Sequence, residues 1–368
     1  MGKIKSFIKK ETVFVTAAAA TLISAFFCAP SWDYVGYIDF SVLMLLFCLM
    51  AVVAGFNELG VFTLISEAML KKLKSVRSVG LLLVNICFFM AMLITNDVVL
   101  ITFVPLTIGL FAGRKKALMH LVVIETIAAN LGSMLTPIGN PQNLFIYTEY
   151  NYSIGDFLLA MLPLTLASYV IVTVMTLLFL PSDEIKSEHK KSSSISKPKL
   201  AEFSVLFVCC VLTVLHVIPH IICLCIVCVA MLIFDRKLFA RVDYVLLLTF
   251  VCFFIFSGNI ASIEAVREWL SGILNGRELI VSTLVSQVIS NVPAAVVLSS
   301  FTENGTQLLR GVNIGGMGTL IASLASLISY KFYSGSDGAE KGKYILCFTV
   351  FGVFAAAILL ILCKIMTL

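Results

Sequence analysis

Three short polar clusters in this chain carry groups able to bind an ion, and each interrupts an apolar stretch. Thr95-Asn96-Asp97 divides the run 79–111, and Ser290-Asn291-Val292-Pro293 divides 277–301. The third, Thr136-Pro137-Ile138-Gly139-Asn140-Pro141-Gln142-Asn143, lies inside 117–147. Its prolines each remove a backbone donor and disrupt the preceding helical turn, so the stretch is expected to unwind. Freed carbonyls and side-chain oxygens suit Na⁺, whereas half-helix N-termini and amide donors suit an anion. Asn140, Gln142 and Asn143 can serve either. Candidate Na⁺ ligands are Asn96, Gly139 and Asn291. Asp97 and Glu125 are candidate proton carriers, because an acid inside a membrane is costly to bury and is usually kept for function. The structural alternatives are an N-cap for Asp97, and for Glu125 a hydrogen bond to a neighbouring helix or exposure near the cytoplasmic end. Na⁺ or H⁺ is expected as coupling ion, with no further cofactor.

These residues sit in a chain of 368 residues, 60% hydrophobic and only 13% charged. Soluble domains carry about a quarter charged residues. That excludes a soluble enzyme, a nucleic-acid binder and a disordered chain, and leaves a polytopic membrane protein. Of the 11 cysteines, Cys209, Cys210, Cys223, Cys225 and Cys228 share one apolar hairpin. They are expected to be small buried hydrophobes rather than a metal site. His216 and His220 have ligand spacing, but Pro219 turns the chain between them, so they are expected to be polar turn residues.

A membrane helix needs about 20 apolar residues. Full crossings are expected at 11–29, 39–56, 117–147, 157–180, 200–217, 220–235, 243–258, 306–332 and 344–366. All the basic residues except Arg267, Arg277, Arg310 and Lys364 then fall on one side, which places the N-terminus in the cytoplasm. Runs 79–111 and 277–301 are too long for one crossing or carry a polar midpoint. Each is expected to be a re-entrant hairpin, one from each side, whose polar backbone is covered by protein or a water-filled cavity.

The order of elements repeats. A span opening at Asp39 or Asp243 ends near Asn57 or Asn259. A short amphipathic segment (58–70, 260–275), a hairpin and an interrupted span follow. Aligned without gaps, 129–147 lies over 315–333, with Gly132 on Gly318, Asn140 on Ser326, Asn143 on Ser329 and Tyr147 on Tyr333. The expected fold is therefore all-α, with two inverted repeats and about nine crossings. The first repeat covers 1–180, a cytoplasmic linker 181–199, and an extra crossing plus the second repeat 200–368. Broken helices at corresponding places of inverted repeats point to a secondary transporter's binding site. The candidate residues are Thr95, Asn96, Asp97, Thr136, Pro137, Gly139, Asn140, Asn143, Ser290, Asn291, Val292, Gly318, Ser323 and Ser326.

At these residues the chain resembles the ion transporter superfamily, which includes divalent-anion/sodium symporters, citrate-transporter-like proteins, arsenite permeases and some sodium/proton antiporters. Thr95-Asn96-Asp97 and Ser290-Asn291-Val292 resemble the paired Ser-Asn-Thr tips of the dicarboxylate symporters. Asp97 and Val292 stand where those tips have Thr, and Asp97 is similar to the acidic tip of the arsenite permeases. Thr136–Asn143 resembles the first unwound helix of the citrate and arsenite branch. The resemblance implies a scaffold able to form a homodimer, a transport domain of hairpins and broken helices, and elevator-type movement. The resulting expectation is a transporter of a small anion (an inorganic oxyanion or a di- or tricarboxylate), coupled to Na⁺ or H⁺. Its place would be the lipid bilayer of the cell's inner membrane. The alternative within this fold is Na⁺/H⁺ antiport. A passive channel or a membrane enzyme fits the pattern less well.

Overall fold

The computed structural model describes residues 11–61, 73, 75–184 and 196–366. Most of the expected amphipathic segment 58–70 and of the linker 181–199 lies outside the described residues. Among the described residues the only bridge of strand type is isolated, Ser75 with Glu184, and the remaining regular structure is helical. The first helices are α1 (Thr12–Ala25), α2 (Asp33–Tyr37) and α3 (Phe40–Glu58). A hairpin follows, α4 (Val76–Met90) and α5 (Asn96–Leu110), then the broken span α6 (Lys115–Ser133) and α7 (Pro141–Glu149). Next come α8 (Ile154–Phe179), α9 (Lys197–Val214), α10 (His220–Phe234), α11 (Tyr244–Ser262) and α12 (Glu264–Leu274). The second hairpin is α13 (Glu278–Ile289) and α14 (Asn291–Ser299). The second broken span is α15 (Gly305–Gly315) and α16 (Leu324–Ser334), and α17 (Lys341–Met366) ends the described chain.

Among the described residues, α3, α8, α11 and α17 are each long and apolar enough to cross a membrane alone. The stretches 11–29 and 220–235 form shorter helices than the apolar runs suggested, of 14 and 15 residues. At about 1.5 Å per residue they fall short of a hydrocarbon core about 30 Å thick. Local chemistry sets many of the helix starts. Asp39 Oδ1 accepts from the Ser41 and Val42 amides at 2.9 and 3.1 Å, and Asp243 Oδ1 from Leu246 at 2.9 Å. Asp39 and Asp243 are thus N-caps, which satisfy helix donors that have no partner of their own.

Both ends of each hairpin lie together. Before α4, Ser75 bridges to Glu184; after α5, Arg114 donates to the Glu184 carbonyl and lies 4.0 Å from the Asp183 carboxylate. In the second hairpin the Thr302 hydroxyl, beyond α14, donates to Glu278 at the start of α13 at 3.4 Å. The hairpins open at opposite ends of the broken spans. Arg114 precedes α6, whereas the Tyr150 hydroxyl, just after α7, donates to the Ser299 and Thr302 carbonyls. Both tips, at Asn96 and Asn291, are buried.

Two packing groups result. In one, α3 lies against α9 and α10, and α1 against α11. In the other, α4 packs on α6 and α8, α13 on α15, and α16 on α5 and α6. Close approach in the second group depends on small residues. Gly311 and Gly315 face Ser282 and Ser286, and Gly132 lies on the Phe88 carbonyl.

The cysteine expectation needs correction. Cys209, Cys210 and Cys223 are buried, and the Cys210 and Cys223 sulfurs lie 3.9 Å apart. Cys225 is exposed and Cys228 half-buried. In a helix as apolar as α10, hydrophobicity alone does not show which face is packed.

Candidate functional site

The breaks are shorter than the sequence suggested. α6 runs to Ser133, one 3₁₀ turn covers Pro137–Gly139, and helix resumes at Pro141 rather than after Asn143. Pro141 is the first helical residue, where a missing donor costs nothing. In the second half the chain leaves helix after Gly315, makes a 3₁₀ turn at Leu320–Ala322 and resumes at Leu324.

The two breaks share a backbone pattern. Thr136 and Thr319 are extended before the 3₁₀ turn, and Asn140 and Ser323 are extended after it. This matches Asn130 to Asn313, Gly132 to Gly315, Thr136 to Thr319, Asn140 to Ser323 and Asn143 to Ser326. The sequence alignment that placed Gly132 on Gly318 and Asn140 on Ser326 is therefore three residues out of register. A shift of three is almost one helical turn, so it leaves the apolar face nearly unchanged and hydrophobic pattern does not detect it. The correct signal is present in both halves as Asn-x-Gly-x-Met-x-Thr, at 130–136 and 313–319.

In this register the hydrogen bonds between the halves are reciprocal. Asn140 Nδ2 donates to Asn313 Oδ1 at 3.2 Å, and its counterpart Ser323 Oγ donates to Asn130 Oδ1 at 3.2 Å. Asn313 Nδ2 donates to Asn143 Oδ1 at 2.7 Å, and Asn130 Nδ2 to Ser326 Oγ at 3.1 Å. Each break is thus tied to the helix before the other. Asn143 Nδ2 also donates to the Ser133, Met134 and Thr136 carbonyls. It thereby occupies acceptors that unwinding had freed.

The hairpin tips join this network. Asn96 Nδ2 donates to Asn130 Oδ1 at 2.8 Å, while its Oδ1 accepts the Asp97 amide. Asn291 Oδ1 accepts the Val292 amide at 2.9 Å, and its amide nitrogen lies against Gly316. Between the tips is a cavity of about 10 Å³, room for about one water molecule. It is lined by the opening residues of four helices: Asn96-Asp97 of α5, Pro141-Gln142 of α7, Asn291-Val292 of α14 and Ser323-Leu324 at α16, with Leu246. A wider cavity of about 570 Å³ shares Asp97, Pro141 and Leu246 and extends to Arg241 and Glu58, an ion pair at 2.8 Å.

The structure therefore brings Asn96, Asp97, Asn291, Val292 and Ser323 to one cavity. Thr95 lines the wider one, and Asn140, Asn143 and Ser326 form the supporting network. Asp97 is the second residue of α5 and not its N-cap, which is Thr95. The other named residues have packing positions. Thr136 Oγ1 donates to the Met92 carbonyl, holding the break to the first tip, and Pro137 is buried in the 3₁₀ turn. Gly139 fits against the Ser133 and Ala91 carbonyls, where a Cβ would collide, so its place is explained by close packing and it does not line the cavity. Ser290 stands behind the second tip at φ +77°, and its hydroxyl reaches the Ala322 carbonyl at 3.3 Å. Gly318, at φ +113°, faces Gln287. Gln287 was not foreseen: Nε2 donates to the Gly315 and Met317 carbonyls at 2.7 Å, and Oε1 accepts the Thr319 amide. Asn130 and Asn313 were also missed as site residues. Glu125 lines neither cavity.

Two helical hairpins with buried polar tips and two interrupted helices, packed among apolar helices, suit a membrane transporter. Residues 6–305 match the citrate transporter family, and the chain belongs to that family. It is 32% identical to an uncharacterized transporter of Methanocaldococcus jannaschii, over 84% of this chain and 85% of that one. It is 29% identical to an inner membrane protein of Escherichia coli, over 83% and 82% of the two chains. A silicon efflux transporter of Oryza sativa is 31% identical over 43% of this chain and 33% of its own.

Proposed function

We propose that this transporter carries a small anion, an inorganic oxyanion or a di- or tricarboxylate, together with Na⁺ or H⁺. The observation that carries this reading is the convergence of four helix N-termini on one cavity. Each N-terminus is equivalent to roughly half a positive charge and presents backbone donors. Among the described residues no Lys or Arg lines the small cavity, so these dipoles and the amides of Asn96, Gln142 and Asn291 would balance the anion.

Asp97 supplies the coupling. A carboxylate beside a bound anion repels it unless a cation or a proton is held there. Anion and cation then favour each other's binding, which is a reciprocal coupling. Asn96 and Asn291, whose side-chain oxygens accept the Asp97 and Val292 amides, complete the cation's surroundings.

The wider cavity leads from the Arg241–Glu58 pair to Asp97, and its volume is ordinary for a small-molecule site. The bias of basic residues supports a cytoplasmic mouth and, with nine crossings in inverted repeats, an inward-facing state. Movement of the hairpins and broken helices as one body against α1, α3, α9, α10 and α11, a scaffold that could pair with a second copy, would open the site outward. The E. coli relative's location supports the inner membrane as the place of action, and the rice relative's name adds small inorganic species to the candidates.

Na⁺/H⁺ antiport is the second reading, favoured by the Asp97 carboxyl in the cavity. Asp97→Asn separates the two in reconstituted vesicles. Symport predicts partial anion uptake with weakened or altered cation dependence. Antiport predicts that Na⁺-dependent proton movement disappears and that no anion affects the wild type.

A further inference from the structure

Away from the tips, Glu125 is a fully buried acid that the anion site does not use. Its Oε1 accepts from the Thr107 hydroxyl of α5 at 2.6 Å, and its Oε2 has no partner. Among the described residues it forms no ion pair. The titratable groups beside it are neutral in their ordinary states: Cys87 on α4 and Tyr344 on α17. Arg310, the cation on the neighbouring α15, is directed to the Ala160 carbonyl. On its own helix His120 stacks on Phe351 and lies tilted against Phe179. An ionised carboxylate here would lack any counter-charge, which disfavours the charged form.

The buried hydroxyls of Ser329 and Tyr344 are also without partners, and Tyr344 lies near Thr126 and Glu125. Ser329 is one turn from Ser326, which receives Asn130, and Ser326 one turn from Ser323, which lines the tip cavity. These serines share one face of α16, the helix packed on α5 and α6. A row of buried serines on α16 thus runs from the cavity along α6, the helix that carries Glu125.

We propose that Glu125 is a proton-binding site of the transport cycle, separate from the tip cavity and joined to it by the Ser323–Ser326–Ser329 face of α16. The Oε2 atom takes the proton, and the free hydroxyls of Ser329 and Tyr344 are the groups able to accept from it or relay it. Proton loss would leave a buried charge beside α5 and α16, the helices whose N-termini face the anion. Proton occupancy and the anion site are coupled in this way. The proposal rests on the transporter reading above, which it deepens by assigning the proton.

The test compares wild type, Glu125→Gln and Thr107→Val in lipid nanodiscs and in vesicles. Infrared titration should show a protonated-carboxyl band in the wild type, absent in Glu125→Gln and shifted in Thr107→Val. With radiolabelled citrate and phosphate as probes, Glu125→Gln should lose uptake driven by a pH gradient, to the level of protein-free vesicles. It should retain exchange of the same anion across the membrane. Wild-type pH-driven uptake in Glu125→Gln, or an unchanged carboxyl band, would overturn the proposal. Loss of the band with no gradient-driven uptake by the wild type of either probe would uphold the proton site and count against the anion reading.

Discussion

Alanine at Asn130 or at Asn313 is expected to lower transport at least about a hundredfold, because each orphaned buried partner costs about 1–3 kcal/mol and 1.4 kcal/mol is tenfold. Asn130→Ala removes the partner of Asn96, Ser323 and Ser326 together, and Asn313→Ala strands Asn143 Oδ1 and leaves Asn140 Nδ2 only its bond to Ser133 Oγ. The protein should still insert, because neither residue contributes to the apolar surface that holds it in the bilayer. The double variant should be little worse than either single one, since both break the same reciprocal network. Asn96→Ala and Asn291→Ala should follow the same course from the tips. Initial uptake rates, normalised to protein in the membrane, measure all five. Additive, independent losses would mean that the two halves do not act as one unit.

The second large effect is on folding. Gly132→Ala places a Cβ into the Phe88 carbonyl, and Gly315→Ala places one 2.6 Å from Ser286 Cβ and 2.9 Å from the Thr283 carbonyl. Relief requires backbone movement between a hairpin arm and a broken helix. Each change is expected to cost about 3 kcal/mol, at the upper end of overpacking in a filled core. Gly109→Ala is the control: nothing lies within 4 Å of its Cβ position. Alanine there should be neutral or slightly stabilising, by up to about 1 kcal/mol, because it is the better helix former. Thermal unfolding followed by size-exclusion in detergent would show the first two variants melting early or aggregating and the third unchanged. Normal melting of Gly132→Ala would mean that the hairpin and broken helix are not in close contact.

Much of this arrangement is legible in the residues. Pro137, Gly139 and Pro141 mark the first break because proline and glycine act on the backbone directly, and Thr95-Asn96-Asp97 marks a tip because polar residues are rare in apolar runs. The second break was harder to locate. It contains no proline, and Gly315, Gly316 and Gly318 have different roles: close packing, contact with Asn291, and a left-handed turn against Gln287. Composition does not distinguish those roles, so the alignment slipped by nearly a turn. Asn130 and Asn313 were overlooked for a related reason. Each lies within continuous helix, where an asparagine carries no backbone signal, and its importance comes from a partner in the other half of the chain. Gln287 likewise becomes informative only when the loop it holds is folded against it.

The most direct measurement is transport by the purified wild-type protein in sealed vesicles under imposed Na⁺ and pH gradients. The panel would hold radiolabelled citrate, succinate, phosphate, arsenate and silicate, with internal pH recorded in parallel. The account predicts that at least one anion accumulates above its external concentration when a cation gradient is imposed, and that reversing the gradient reverses the flux. Na⁺-dependent proton exchange that proceeds unchanged with every anion present or absent would contradict it.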